Sequence, residues 1–403
     1  MADVALDGPI GDRIRIYRSR RGLSQRELAG LIGRSESWLS QVERGVRTVD
    51  RFSVLVDIAQ VLKTNVQTLA GTRMEYAPNG DEHVDGIDAV TSALTVYPSI
   101  APTKERTELT LDDIERQCDE AHARYQAADY VAAAKVISRL LGPVDTTARD
   151  ASSEMLERAL TLQHSAYIVT AKLLTKVGDA HFAWLAADRA MNAGARFNAP
   201  DLVALAAYQV TCALLELDRI DDAERVALTA AENLDDDTPR GISAQGALFL
   251  IAAVIAGRRS DRKTATERLR RAQFLANSLG EDANHGWTAF GPTNVAIHQV
   301  SVATELGDAE MAIEHAEQID TSNLPEVLRS RRAQVHLDAA WAYTQRKNDA
   351  AAVINLMEAE RVAPQIVRYN HVARDILRTL LKRERRTATP GLRALATRAG
   401  VIK

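Results

Sequence analysis

The chain has 403 residues, a length that suggests two or three domains rather than one. Hydrophobic residues make up 46% and charged residues 26%, which are ordinary values for a globular protein and exclude wholesale disorder. The net charge of −4 does not by itself point to nucleic acid, but residues 1–75 carry 12 basic and 9 acidic side chains. Two distant cysteines, Cys118 and Cys212, exclude a disulfide framework and a zinc ribbon.

The apolar pattern bears on fold class and location. Aromatic residues make up only 5% of the chain, which argues against a β-sandwich, and the recurrent Ala and Leu favour an all-α fold. The sequence has no run of about 18 or more apolar residues. It begins with an acidic segment rather than with a signal peptide. We therefore expect a cytoplasmic protein without a membrane partner.

Five short helices are predicted in residues 1–76. Apolar residues at helical spacing mark the first helix, which ends at Gly22. Ser24 and Glu27 are spaced as a capping box for the second, and the third starts at Ser35. The fourth and fifth are indicated by an apolar series, Phe52, Leu55, Ala59, Leu62, Val66 and Leu69. Two short helices joined by a glycine turn inside a helical bundle are typical of a helix-turn-helix.

The segment over roughly residues 9–71 resembles the Xre, or lambda-repressor-like, helix-turn-helix family. The resemblance is carried by SQRELA, by Gly33 and by SESWLSQVERG, which stand in the order and spacing of that family. It implies that Arg18 and Glu43 form a structural ion pair. It also implies that the third helix is a recognition helix, whose N-terminal residues face base edges in the major groove.

The residues that the resemblance places at base edges are Ser35, Glu36, Ser37 and, one turn further on, Gln41. A Glu accepts a hydrogen bond from cytosine N4, and a Gln pairs with adenine. The alternative is a helical bundle that has lost DNA binding.

A second set of residues is assigned to the DNA backbone. Gln25 stands in the position of a phosphate-contacting glutamine, and Arg34, Arg47 and Arg51 are candidate phosphate ligands. Trp38 lies either along the sugar-phosphate backbone or against the second helix. Phosphate contacts position the protein on the duplex without reading its sequence.

Helices that recur in pairs are predicted beyond the first domain. Residues 77–104 are interpreted as a linker with a short helix near Asp88–Leu94, because turn formers and acids interrupt the pattern. Over 105–403 the second helix of each pair begins near an aspartate: Asp129, Asp179, Asp221, Asp261, Asp308 and Asp349. Such periodicity predicts a helical solenoid. The units resemble degenerate tetratricopeptide repeats, which implies a right-handed α-solenoid.

Polar and aromatic groups on the first helices of these pairs are candidate ligand-binding residues. Gln163 with Tyr167, and Asn294 with His298, are each four residues apart and share a helix face. Tyr208 occupies a similar place in the unit between them. An Asn amide suits an extended peptide, because it satisfies a backbone donor and acceptor together. For Asn294 and His298 a role as satisfied interior polar groups stays open.

An Xre domain followed by such repeats resembles the RRNPP class of peptide-sensing regulators and the helix-turn-helix–tetratricopeptide regulators of actinomycetes. The resemblance implies a homodimeric transcription regulator at the nucleoid that binds a palindromic operator in double-stranded DNA and responds to a peptide or small molecule. The alternative is a protein-interaction scaffold whose repeats recruit a partner, with DNA contact secondary. The sequence has no P-loop, GxGxxG, HExxH or GxSxG motif, so we expect no enzyme, cofactor or metal site.

Overall fold

The computed structural model describes residues 9–49, 52–62, 64, 66, 69, 84–97, 109–385 and 387–402. Every regular element in these ranges is a helix. The chain divides into two compact units, unit 1 (Met1–Asp81) and unit 2 (Glu82–Lys403). The predicted all-α fold, with a helix-turn-helix bundle followed by helical repeats, is confirmed.

Unit 1 packs its helices around a small apolar core. Its described helices are α1 (Ile10–Arg20), α2 (Gln25–Leu31), α3 (Glu36–Glu43) and α4 (Phe52–Leu62). The fifth predicted helix lies largely outside the described residues, although Leu69 is buried in this core. Gly11 allows α1 to approach α3 closely, because a Cβ at this position would lie 2.1 Å from the carbonyl oxygen of Val42.

Unit 2 is a series of antiparallel helix pairs. Its first described helices are α5 (Ile87–Leu94), α6 (Leu111–Gln126), α7 (Tyr130–Asp150), α8 (Leu156–Lys176), α9 (Ala180–Ala195), α10 (Pro200–Glu216), α11 (Ile220–Asn233) and α12 (Pro239–Arg258). They are followed by α13 (Arg262–Leu279), α14 (Pro292–Glu305), α15 (Ala309–Gln318), α16 (Arg329–Gln345), α17 (Asp349–Val362), α18 (Pro364–Tyr369), α19 (His371–Lys382) and α20 (Leu392–Arg398). Small residues, mostly alanine, occupy the buried positions and let neighbouring helices approach closely.

One turn geometry joins the two helices of six successive pairs. All six predicted aspartates lie within two residues of the start of a second helix. A left-handed residue comes just before the N-cap each time: Ala128, Gly178, Asp218, Ser260, Gly307 and Lys347. The N-cap amide then bonds back to a carbonyl five residues earlier, as Asp261 does to Ala256 at 2.9 Å. This closure of the helix C-terminus recurs along the array and accounts for the sequence period.

The predicted linker contains part of unit 2. The short helix expected near Asp88–Leu94 is present as α5, but it is not an isolated element. Val90 and Leu94 are fully buried in the same core as Ile137 of α7, because the apolar face of α5 needs cover from water. Residues 84–97 therefore extend the repeat unit beyond the boundary expected at 105. Residues 77–83 and 98–104 lie outside the described residues.

Helix α12 is long and apolar enough to cross a membrane, the only such helix among the described residues. It lies at the centre of unit 2, however, and 78% of its most apolar window is buried there. Gln245 interrupts its apolar sequence and donates hydrogen bonds to two carbonyl oxygens of the preceding segment, those of Ala231 and Leu234. This environment is that of a core helix.

The beginning and the end of the repeat array meet. The Gln365 side chain accepts a hydrogen bond from the Tyr130 backbone amide at 2.8 Å and donates one to the Asp129 carboxylate at 3.1 Å. Helices α6 and α16 are also in contact. Helices from the beginning and the end of the array are therefore in contact within unit 2, although they are far apart in sequence.

Candidate DNA-binding and ligand-binding sites

The α2–turn–α3 segment is fixed by capping at both helix starts. The predicted capping box is present, since Glu27 N–H donates to Ser24 Oγ and the Glu27 carboxylate accepts from Ser24 N–H at 2.7 Å. Hydrogen bonding to Ser24 lowers the pKa of Glu27. The turn passes through Gly33 at φ +63°, and Ser35 caps α3 by accepting from Trp38 N–H at 3.1 Å. Local hydrogen bonds thus set the direction of α3.

A buried polar network fixes α3 against the rest of unit 1. Arg18 donates two hydrogen bonds to Glu43, at 2.6 and 2.9 Å, and a third to the Leu23 carbonyl. The predicted structural ion pair is therefore confirmed. Gln25 donates to the same Glu43 carboxylate at 2.6 Å, a contact that sequence reasoning missed. This amide is held inside the scaffold, while the sequence interpretation assigned Gln25 to a phosphate.

The predicted base-contacting residues lie on one exposed end of α3. Ser35, Glu36 and Ser37 are all exposed, and Gln41 is half-buried one turn later. The Ser35 hydroxyl already accepts a hydrogen bond from the Trp38 amide, so its proton and one lone pair stay available for a ligand. Glu36 occupies the first turn of α3, where a carboxylate interacts favourably with the helix dipole.

Exposed cations stand at both ends of α3. Arg34 lies over the Trp38 ring at 5.6 Å, and Trp38 is half-buried against the core of unit 1, as the packing alternative described. Arg47 is exposed, and Arg51 lies outside the described residues. Arg44 is a further exposed cation that sequence reasoning did not assign, although its place at the end of α3 was visible. Its position beside Arg47 makes it a second candidate phosphate ligand.

The predicted pair Gln163 and Tyr167 shares a helix face, but both side chains have internal partners. Gln163 donates to Asp145 at 2.9 Å, and the Tyr167 hydroxyl donates to the same carboxylate at 2.8 Å. Arg189 in turn donates to Tyr167 at 3.1 Å. Asp145 and Arg189 lie on α7 and α9, the second helices of their pairs, so this geometry favours a structural role.

The other three predicted ligand residues lie deeper in unit 2. Asn294 is 1% exposed, and its Oδ1 atom has no hydrogen-bond partner among the described residues. His298 is bonded through Nδ1 to the Asn294 carbonyl at 2.8 Å, and burial lowers its pKa to about 3. Tyr208 is half-buried, and burial raises the pKa of its hydroxyl.

Three cations share the interior that Tyr208 faces, and sequence reasoning missed them. Lys172, Lys176 and Arg331 are half-buried, and the structure gives none of them an ion pair with a carboxylate among the described residues. Burial, and then the charge of Arg331, lowers the pKa of Lys172 to about 7. Burial and Arg331 also lower the pKa of Lys176. Their spacing in the sequence carries no signal, because Lys172 and Arg331 are 159 residues apart and lie on different helices, α8 and α16.

The helix-turn-helix unit has known relatives. Residues 9–70 match the family model described as a helix-turn-helix domain. The HTH-type transcriptional regulator SinR of Bacillus subtilis (strain 168) is 34% identical over 86 residues, which are 21% of this chain and 78% of that protein. SinR of Bacillus licheniformis is 37% identical over 71 residues, 18% of this chain and 64% of its own length.

A solved structure is similar at low identity. It is the crystal structure of Bacillus thuringiensis PlcR in complex with the peptide PapR7 and DNA. The match has a TM-score of 0.34 and 12% identity over 88% of this chain and 98% of that chain. The relationship to SinR, by contrast, is one of 34% identity and covers 78% of that protein. The chain therefore belongs to the family of helix-turn-helix transcriptional regulators, and unit 1 is its Xre-type DNA-binding domain.

Proposed function

We propose that this regulator reads a specific operator with the exposed N-terminal turn of α3. Glu36 and Gln41 contact base edges, while Arg34 and Arg47 contact phosphates. The observation that carries the proposal is the contrast within α3, whose C-terminal residue Glu43 is buried in an ion pair while its first turn stays exposed. A rigid helix with one free polar end fits the major groove.

The operator we propose is palindromic and the protein a homodimer. A single helix-turn-helix domain has a small footprint on DNA, and two-fold dimers read half-sites about one helical turn apart. Unit 1 is small, so we assign dimerisation to unit 2. Sedimentation of the full chain, free and with operator DNA, tests this assignment. A monomer in both conditions contradicts it.

The proposed role of unit 2 is to sense a peptide or small molecule. The two ends of the array are in contact, and buried polar atoms, such as Asn294 Oδ1, have no hydrogen-bond partner among the residues that the structure describes. A ligand there changes operator affinity only through its differential affinity for two arrangements of the protein, worth about 1–3 kcal/mol. A repeat array that merely recruits a partner does not require such a polar interior.

Asn294→Ala separates sensing from structure at this position. If the amide binds the ligand, this variant loses the response of operator binding to a cell extract but keeps its melting temperature. If the amide is structural, the variant melts lower by about 1–3 kcal/mol of stability and keeps the response. The second outcome contradicts the assignment of Asn294 to a ligand.

The proposed place of action is the nucleoid in the cytoplasm. Genome-wide occupancy mapping tests the whole proposal there. A regulator occupies a defined set of promoters that share one inverted repeat. Glu36→Ala serves as the matched variant, because it removes an exposed carboxylate without touching the core of unit 1. Occupancy without a shared sequence favours the alternative function, a scaffold protein whose DNA contact is secondary.

A further inference from the structure

We propose that unit 2 binds an extended peptide with an aromatic side chain at a place that a segment of its own chain occupies. This inserted segment is residues 282–290, between α13 and α14. The peptide takes its place: the aromatic ring stacks on His122, and a backbone carbonyl accepts hydrogen bonds from Lys172 and Gln126. The inference rests on the proposed sensing function and specifies the ligand and its site.

The first argument is the length of the connection that contains the inserted segment. The first three connections between successive helix pairs have four or five residues: 151–155, 196–199 and 234–238. The connection between α13 and α14, residues 280–291, has twelve. A repeat array does not need so long a connection, and long ordered loops in compact domains are commonly functional.

Both ends of the inserted segment are anchored. Asp282 accepts a hydrogen bond from the Thr293 backbone amide at 2.9 Å. Phe290 is fully buried over Gly246 of α12, where a Cβ would lie 2.0 Å from the ring. The residues from 282 to 288 are only half-buried. The segment is therefore fixed at its ends and accessible to water between them, which is the arrangement of a part that opens on its base.

The second argument is the way in which the inserted segment is bound. The Trp287 ring stacks on His122 of α6, with centroids 4.7 Å apart and planes 6° apart. The Trp287 carbonyl accepts hydrogen bonds from Lys172 of α8 at 2.7 Å and from Gln126 of α6 at 3.3 Å. Gln126 and Asn284 also exchange two hydrogen bonds, at 2.9 and 2.8 Å. A stacked ring and donors directed at a backbone carbonyl are contacts that a separate peptide can also make.

The third argument is strain in the inserted segment. Gly286, Trp287 and Ala289 all have φ of +57° or +58°. Side chains rarely adopt this left-handed conformation, and Trp and Ala keep it only under tertiary constraint. A free peptide that makes the same contacts in a relaxed conformation does not carry this strain, so it can compete with the inserted segment.

The fourth argument is the polar character of the site. His122 and Gln126 lie four residues apart on one face of α6, and both are buried where the inserted segment contacts them. Opening the segment exposes an imidazole, an amide and the Lys172 ammonium, which water solvates well. His122 Nδ1 is buried and has no hydrogen-bond partner among the described residues. The inserted segment therefore leaves one polar atom of the site for a ligand to satisfy.

The test uses the full chain and a dye-labelled synthetic peptide with the sequence of the inserted segment, DANHGWTAF. In the wild type the tethered segment competes with this peptide at an effective concentration in roughly the millimolar range. Trp287→Ala removes the competing ring and leaves His122, Gln126 and Lys172 in place. Trp184→Ala is the matched control, because it removes an exposed indole from α9. A second peptide, with Ala in place of Trp, tests the contribution of the ring.

Fluorescence anisotropy should show that Trp287→Ala binds the Trp-containing peptide at least about 10-fold more tightly than the wild type and Trp184→Ala do. Trp287→Ala should also prefer that peptide to the Ala peptide. Equal affinities of the three proteins, equal affinities of the two peptides, or no binding by Trp287→Ala overturn the inference. If Trp287→Ala fails to fold by circular dichroism, Asn284→Ala takes its place. That variant removes the bonds to Gln126 from the segment alone, with the same expected order and the same contrary results.

Operator selection by the wild type is measured separately. Peptide binding by Trp287→Ala, in a protein that selects no operator, contradicts the proposed function and leaves the peptide site standing. Operator selection without peptide binding by Trp287→Ala contradicts the peptide site alone.

Discussion

The two units differ in how one set of their buried charges is compensated. In unit 1 the buried Glu43 carboxylate is satisfied by Arg18 and Gln25, and the groups proposed to bind DNA are exposed. In unit 2 paired charges, such as Arg268 with Glu224, stand beside half-buried cations, Lys172 and Arg331, that have no carboxylate partner among the described residues. The difference teaches that the buried charge of unit 1 belongs to its scaffold, whereas the interior of unit 2 carries cations beyond those that its scaffold neutralises. Each prediction below tests one side of this contrast.

The largest effect is expected at Glu43. Glu43→Ala leaves Arg18 without its partner in a site where the two side chains are only 13% and 1% exposed. Breaking a buried pair on one side costs about 3–5 kcal/mol, which is enough to unfold a small domain. Scanning calorimetry should show the transition of unit 1 lowered or lost while that of unit 2 is kept.

Glu36→Ala is the matched control for this experiment. It removes an exposed carboxylate from the same helix, so both transitions should stay within about 0.5 kcal/mol of the wild type. An equal loss of stability in the two variants would show that the network around Glu43 is not the scaffold of unit 1.

A pair of glycine substitutions tests whether the units are stabilised independently. Gly11→Ala places a methyl group 2.1 Å from the Val42 carbonyl oxygen, and Gly246→Ala places one 2.0 Å from the Phe290 ring. Overpacking of this kind costs about 1–3 kcal/mol. Gly11→Ala should lower the melting transition of unit 1 alone, and Gly246→Ala that of unit 2 alone. A common shift of both transitions would mean that the units unfold together.

The pH dependence of stability sharpens the comparison on the side of unit 2. The folded pKa of Lys172, about 7, lies below its unfolded value, so the unfolded chain binds more protons above pH 7. Stability therefore rises with pH from 7 towards 9, by about 1 kcal/mol after allowance for partial exposure. Lys176 contributes in the same direction, whereas Cys118 and Cys212, whose pKa burial raises to about 12, oppose the rise as the pH approaches 9. The two cysteines act equally in the variants compared below, so the comparison isolates Lys172.

Lys172→Met should remove most of that rise, while Lys263→Met, an exposed lysine on α13, should keep it. Urea unfolding of the two variants at pH 7 and pH 9 measures the rise in stability of each. An unchanged rise in Lys172→Met would show that the interior cations are solvated like surface lysines.

The smallest effect is expected in the repeated turns. Lys347 is exposed and has φ +59°, a conformation that glycine adopts freely, as Gly307 does at the same place in the preceding pair. Lys347→Gly should stabilise unit 2 by about 0.5–1 kcal/mol, and Gly307→Ala should destabilise it by about 1 kcal/mol. Urea titrations measure the change in unfolding free energy of each variant relative to the wild type. Changes of the same sign in the two variants would contradict the shared turn geometry.

The predictable part of the molecule is the part whose signals are local. The cap at Ser24, the turn at Gly33 and the ion pair between Arg18 and Glu43 follow from a contiguous motif, and the structure contains all three. The aspartate period likewise predicts the helix pairs, since each helix start is fixed by neighbouring residues. The prediction of a linker was wrong over 84–97, because composition cannot show that the apolar face of α5 is covered by α7.

The half-buried cations of unit 2 were not predictable, because no local signal joins Lys172 to Arg331. Those residues are 159 positions apart in the sequence and lie on different helices, α8 and α16. Tyr167 is the converse case, because its spacing predicts a ligand contact while the structure gives its hydroxyl Asp145 and Arg189 as partners; the ligand contact stays a prediction. Helical spacing identifies a shared face but not what that face contacts.

The measurement that tests the central claim most directly is selection of bound duplexes from random DNA by the full chain and by Glu36→Ala. The account predicts that the wild type selects one inverted repeat. Glu36→Ala should keep that repeat but lose discrimination at one base pair in each half-site, by about 1–3 kcal/mol. Wild-type protein that enriches no sequence, or a variant with unchanged preference at every position, would contradict recognition by the first turn of α3.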